Sequence, residues 1–305
     1  MRDETGNVQN AEPGYQELIK RFLSWAEQEE NIRAAVVIGS RARREDHPAD
    51  EWSDLDLLVV AKDPRPLIES SEWLHNVGTL WITFVESTPG DEGFERRVLF
   101  EGGLDVDFAP VAAKDVRRMA GGRLPPLLAD IFRRGRRFIL DKDGLEELFP
   151  SVPAVIHTVS APTESEFLNQ VNDFWYHTVW TAKKARRGEL WKAVSCCNMY
   201  LKNLLIQMLE WHTHAKRGPD VDTWMRGRFL EEWADPKAVA EFPKVFAYYN
   251  AEDVWRALFA TMELFHVLAT ETAGLLNLSY PSLGEEKVRI LVKTMFTGRK
   301  KPATG

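Results

Sequence analysis

The residues that carry chemistry lie in two short stretches of the chain. One reads Val36-Val37-Ile38-Gly39-Ser40-Arg41; the other reads Ser53-Asp54-Leu55-Asp56-Leu57-Leu58-Val59-Val60. An apolar run ends in Gly-Ser, a polar excursion follows, and a second apolar run opens with Asp-x-Asp. Strand side chains alternate, so Asp54 and Asp56 project to one face while Leu55 and Leu57 project to the other. Two carboxylates held side by side repel each other and are costly to bury unpaired. A hard cation resolves the conflict, and Mg2+ takes oxygen ligands that it shares with substrate phosphates. Gly39 lets backbone come close to a phosphate, to which nearby N–H groups and the Ser40 hydroxyl can donate. A third carboxylate belongs in such a site. Leu104-Asp105-Val106-Asp107-Phe108 is again an Asp-x-Asp on an apolar run. Asp105 and Asp107 would share one face, so spacing does not choose between them. Either could complete a metal site or accept the proton of an attacking hydroxyl.

The elements that must hold these residues follow from periodicity. Residues 15–30 read as an amphipathic helix, with Leu18, Phe22, Leu23 and Trp25 near helical spacing. Residues 32–38, 55–61 and 80–85 read as strands. Residues 97–100 and 104–111 form a strand pair turned at Gly102-Gly103, and a further strand covers 137–140. Residues 150–162 carry three prolines and little periodicity, a linker signal. Thr163 followed by Glu166 fits a capping box. Beyond it the chain reads as helices over 164–187, 190–214, 236–249, 251–276 and 284–296. The expected architecture is α+β: a mixed sheet with flanking helices over residues 1–150, then a helical bundle over 151–305.

Composition bounds the function. The chain has 305 residues, long enough for two domains, with 44% hydrophobic and 28% charged residues, as in a folded globular protein. Lys and Arg total 39 against 46 acids, a net charge of −7. That balance argues against a broad nucleic-acid footprint and leans towards a cationic small molecule. Cys196 and Cys197 are adjacent and read as packed helix thiols. No apolar run is long enough to span a membrane and the first residues carry no signal pattern, so a cytoplasmic location is expected. The histidines make no metal-binding motif; His212 and His214 read as surface, and Arg133–Arg137 as a solvated turn. No P-loop or dinucleotide fingerprint is present.

In the second half, Asp173, Tyr176, Trp180 and Lys183 recur at helical spacing, so one helix face offers an acid, aromatics and a base. Lys183 there could hold triphosphate oxygens as a point charge, and Asp173 an amine or hydroxyl.

The ordered set resembles nucleotidyltransferases of the DNA polymerase β type, and more closely the aminoglycoside 6-adenylyltransferase family, which modifies streptomycin. Gly39-Ser40-Arg41 matches its Gly-Ser-Arg, and Ser53-Asp54-Leu55-Asp56 its Asp-x-Asp. Val106-Asp107-Phe108 falls on its third acidic strand, and Leu140-Asp141-Lys142-Asp143-Gly144 on a family turn. Asn172-Asp173-Phe174-Trp175 through Lys183, Leu209-Glu210-Trp211 and Arg226-Gly227-Arg228-Phe229-Leu230 match later segments. The resemblance implies AMP transfer from ATP to an aminoglycoside hydroxyl with loss of pyrophosphate, and hence antibiotic resistance. It implies Mg2+ on Asp54, Asp56 and Asp107, which would also be the catalytic acids. It places the nucleotide on Gly39, Ser40, Arg41 and Lys183, and the acceptor on Asp173 and Tyr176. The alternatives are another metabolite, RNA or a protein hydroxyl as acceptor, or nucleotide binding without turnover.

Overall fold

The computed structural model describes residues 12–45, 47–88, 93–120, 126–148 and 160–298. The chain divides into two compact units, Met1–Val155 and Ile156–Gly305. The proline-rich stretch read as a linker falls mostly outside the described residues.

The first unit is built on a six-stranded mixed sheet. In chain order its elements are α1 (Glu12–Ala26), β1 (Ile32–Ile38), β2 (Leu55–Ala61), α2 (Arg65–Glu69), β3 (Leu80–Ser87), β4 (Phe94–Phe100) and β5 (Leu104–Ala112). Then come α3 (Ala113–Ala120), α4 (Pro126–Arg134) and β6 (Arg137–Asp141). The strand order is β3-β4-β5-β2-β1-β6. The β2–β5 pair is parallel and every other pair antiparallel. Central β1 and β2 are nearly continuous apolar runs because helices cover both faces. Leu55, Leu57, Val59 and Phe108 pack under α1 through Tyr15, Leu18 and Phe22. Val36, Leu58 and Val60 face the other way, against Val116 of α3, Phe132 of α4 and Leu145.

Helix α1 is tied at both ends. Near its start the Tyr15 hydroxyl donates to Asp105 at 2.8 Å. Past its end, Lys142 Nζ donates to the carbonyls of Ala26 and Glu29 at 2.7 and 2.9 Å. Asp141 holds the loop carrying Lys142 by accepting from the backbone N–H groups of Leu145 and Glu146, both at 2.9 Å. Arg133 and Arg134, read as a solvated turn, are instead largely buried in the last turn of α4, where both pair with Asp130 at 2.6 and 2.9 Å.

The second unit is helical: α5 (Glu164–Arg186), α6 (Leu190–Ser195), a π-helical segment Cys196–Tyr200, α7 (Leu201–Arg217), α8 (Leu230–Trp233), α9 (Pro236–Val245), α10 (Ala251–Leu276) and α11 (Ser282–Thr297). Both arms of the capping box at Thr163 and Glu166 are formed. The helix expected over 190–214 is interrupted by the π segment, whose wider turn re-aims the side chains after Ser195. Phe174 stacks on Phe265 with ring centroids 3.6 Å apart. Both cysteines are buried free thiols. His212 and His214 are buried rather than exposed, because each ring finds an acceptor: Glu271 at 2.8 Å and the Val221 carbonyl at 3.0 Å. Among the described residues no helix is long and apolar enough to cross a membrane.

Candidate active site

Strand β1 pairs with β2 so that Ile38 lies opposite Asp56. The chain leaves β1 through Gly39 with φ +67°, in the left-handed region. A Cβ at this position would stand 2.0 Å from Asp56 Oδ2, so only glycine fits. A short 3-10 turn, Gly39–Ala42, follows. Ser40 in that turn is 6% exposed, and among the described residues its hydroxyl has no hydrogen-bond partner. A buried hydroxyl left alone costs about 1–3 kcal/mol, a deficit that a ligand oxygen would remove.

The parallel pairing of β2 with β5 sets Asp56 directly opposite Asp107. One carboxylate oxygen from each of Asp54, Asp56 and Asp107 lies within 4.8 Å of the others. Among the described residues no hydrogen bond or ion pair reaches the carboxylates of Asp54 or Asp56. Burial, reinforced by Asp54, Asp107 and Glu95, pushes the Asp56 carboxyl up to about 7, with Arg43 opposing. Burial likewise pushes Asp107 up to about 6, although Arg97 pulls it down. An all-oxygen set of converging carboxylates, two of them without a donor among the described residues, suits a hard divalent cation. The orphaned Ser40 hydroxyl and the glycine cradle beside the cluster suit the phosphate such a cation would carry.

The structure separates the two acids that spacing left open. Asp105, next to the end of β5, is exposed and takes the Tyr15 hydroxyl. Asp107, two residues further into the strand, joins Asp54 and Asp56. Arg41 turns inwards rather than towards open space. Its guanidinium donates to the carbonyls of Asp54 at 3.0 Å and Ser53 at 2.7 Å, and pairs with Glu12 at 2.6 Å. It also lies 3.7 Å over the Tyr15 ring. Arg41 therefore clamps the segment that carries Asp54.

Two charged residues escaped the sequence reading. Arg97 on β4 lies opposite Asp107, and its Nη1 pairs with Asp107 Oδ2 at 3.0 Å. Glu95, two residues away on the same strand, is buried and pairs with Arg97 Nη2 at 2.9 Å. The signal was present in the Gly102-Gly103 turn. Once Phe100 and Leu104 close that hairpin, counting three residues along each strand lands on Arg97 and Asp107.

In the helical unit, α5 carries Asp173, Tyr176 and Lys183. Asp173 is held by its own chain: His177 Nδ1 lies 2.5 Å from Oδ1, and the Tyr200 hydroxyl of the π segment donates at 3.0 Å to Oδ2. Tyr176 is 67% exposed, and its ring meets His177 edge-on at 5.2 Å. Lys183 is exposed on the last turn of α5.

A sheet that converges three carboxylates beside a Gly-Ser turn is a nucleotidyltransferase arrangement. Residues 14–295 match the family model described as streptomycin adenylyltransferase, and the chain belongs to that family. It is 24% identical over 279 residues to an aminoglycoside 6-adenylyltransferase of Bacillus subtilis (strain 168), covering 88% of this chain and 94% of that protein. It is 22% identical over 276 residues to an aminoglycoside 6-adenylyltransferase of Staphylococcus aureus, covering 87% of this chain and 93% of that one. Among solved structures, it is similar to the crystal structure of an aminoglycoside 6-adenyltransferase from Bacillus subtilis. That match has 20% identity, covers 92% of this chain and 98% of the other, and has a TM-score of 0.44.

Proposed function

We propose that the protein transfers an adenylyl group from MgATP to a hydroxyl of a cationic aminoglycoside and releases pyrophosphate. The observation that carries the reading is the cluster of Asp54, Asp56 and Asp107, two of whose carboxylates lack any protein partner among the described residues. Family membership supports adenylyl transfer, and the names of the relatives support the acceptor class.

Asp54, Asp56 and Asp107 would hold Mg2+, which when bound supplies charge neutralisation for the triphosphate. Gly39 and Ser40 receive phosphate oxygens, the Ser40 hydroxyl donating a hydrogen bond that the described residues leave unmade. Arg41 serves the nucleotide site by fixing the backbone of Ser53 and Asp54. Asp107 accepts the proton of the attacking hydroxyl. The acceptor oxygen forms its bond to the α-phosphorus, and the bond from that phosphorus to the departing pyrophosphate breaks. The first unit is thus the nucleotidyltransferase domain, and the helical unit binds substrate and nucleotide. In the latter, Asp173 and Tyr176 serve the acceptor, a carboxylate and an aromatic ring suited to an ammonium group, and Lys183 serves phosphate. ATP as donor and two free thiols fit a cytoplasmic location.

The test is pyrophosphate release with MgATP across a panel of aminoglycosides, streptomycin included, with Asp56→Asn as control. Release with a particular drug, absent in the control, is expected. Silence across the panel with MgATP still bound would remove the aminoglycoside and move the search to other hydroxyl acceptors.

A further inference from the structure

Arg97 stands on the site face of the sheet between the acid cluster and the edge strand β3. Its guanidinium meets three carboxylates on three adjacent strands. Nη2 donates to Glu95 Oε1 of β4 at 2.9 Å, while Nη1 lies at ion-pair distance, 3.0 Å, from Asp107 Oδ2 of β5, and Nε is ion-paired with Glu86 Oε1 of β3 without hydrogen-bond geometry. Register explains the convergence: Arg97 lies opposite Asp107 on one side, and Glu95 lies opposite Glu86 on the other. The Glu95 and Asp107 side chains are each only 12% exposed, whereas Arg97 is 40% exposed. The cation thus sits at the rim of a pocket of more deeply placed acids. Among the described residues no hydrogen bond reaches Asp107 Oδ1.

We propose that Arg97 is a positioning residue for the transfer step, a role that rests on the adenylyl-transfer reading above. It pins Asp107 through Oδ2 and so leaves the other oxygen, Oδ1, at a fixed place to serve both the cation site and the acceptor proton. It also occupies Glu95 and Glu86. Without Arg97, Asp107 is free to turn both oxygens to a cation, and Glu95 becomes a fourth carboxylate available to it. The site would then bind metal more tightly and transfer more slowly. A side chain needed only for folding would do the opposite, weakening both together. Lysine is a poor replacement, because an ammonium on a flexible stem cannot present a planar fork to three carboxylates at once.

The experiment compares wild type, Arg97→Met and Arg97→Lys by three readouts: Mn2+ affinity from calorimetry without nucleotide, kcat and KM for MgATP, and kcat with added guanidinium ion. Arg97→Met is expected to bind Mn2+ at least threefold more tightly. Its kcat should fall by about 10- to 100-fold, the cost of a reacting group misplaced by roughly an ångström. Its KM for MgATP should stay within threefold, and guanidinium should restore part of kcat. Arg97→Lys should keep Mn2+ affinity within twofold of wild type and still lose about tenfold in kcat, since loss of pinning rather than of charge slows it. This second variant decides the matter if Arg97→Met does not fold. A kcat within twofold of wild type in either variant overturns the proposal. So does a parallel fall of Mn2+ affinity and kcat, or a kcat in Arg97→Met that guanidinium does not raise. A wild-type protein that neither takes up Mn2+ nor releases pyrophosphate with any acceptor would bring down the adenylyl-transfer reading itself, and this role with it.

Discussion

Asp56 and Asp173 are both partly buried carboxylates on regular elements, and the protein treats them in opposite ways. Asp173 on α5 receives a histidine nitrogen and a tyrosine hydroxyl. Asp56 on β2 receives nothing among the described residues and faces two further carboxylates. A buried anion without a donor is a standing cost unless something from outside supplies positive charge. The sheet unit is therefore incomplete by itself, while the acid of the helical unit is already satisfied and poised. A cation repairs the first, whereas a ligand can only adjust the second.

The contrast breaks most sharply if Asp54 or Asp56 is neutralised. Asp54→Asn or Asp56→Asn should lower turnover by on the order of 10³-fold, measured as pyrophosphate release, since the charge stabilisation of the transition state is lost. Next in size is Gly39→Ala. Its Cβ would meet Asp56 Oδ2 and its backbone would be strained. Turnover should fall by about 100-fold through misplacement, with a loss of stability of about 1–3 kcal/mol.

The third test uses pH. Asp56 and Asp107 are raised towards about 7 and about 6, so the folded protein binds more protons than the unfolded chain between pH 4 and those values. By linkage the metal-free protein loses stability as pH rises through that window. Mg2+ should therefore raise the Tm more at pH 8 than at pH 5, and Asp56→Asn should shrink the difference. Equal shifts at both pH values would contradict the assignment. The smallest effect is expected at the satisfied acid. Tyr200→Phe removes one hydrogen bond to Asp173 and should raise the acceptor KM by about 2- to 10-fold, leaving kcat within twofold. An unchanged KM would leave Asp173 a purely structural carboxylate.

Much of this was legible in the sequence, and the reasons for the rest are physical. Strand alternation placed Asp54 and Asp56 on one face and Leu55 and Leu57 on the other, which the fold turns into core beneath α1. The same alternation could not separate Asp107 from Asp105, because Asp105 lies next to the end of its strand and Tyr15 claims it. Arg97 and Glu95 depend on cross-strand register, a relation between segments rather than within one. Arg41 is basic beside a phosphate-type turn, but only the fold reveals that its donors face the backbone of Ser53 and Asp54. His212 and His214 were misread because spacing on one helix says nothing about the partners other segments bring.

The bonds at the two ends of α1 have a mechanical consequence. At one end Tyr15 and Glu12 meet Asp105 and Arg41, and Arg41 grips the segment carrying Asp54. At the other end Lys142 closes on the last carbonyls of the helix and the loop beyond. A helix of 15 residues spans about 22 Å at 1.5 Å per residue. It behaves as a strut under the sheet, with the acid cluster at one abutment and the Asp141–Gly144 turn at the other. Core packing through Leu18 and Phe22 holds the span between them, and Lys142, which touches none of the site's chemistry, fixes the carbonyls at the far end.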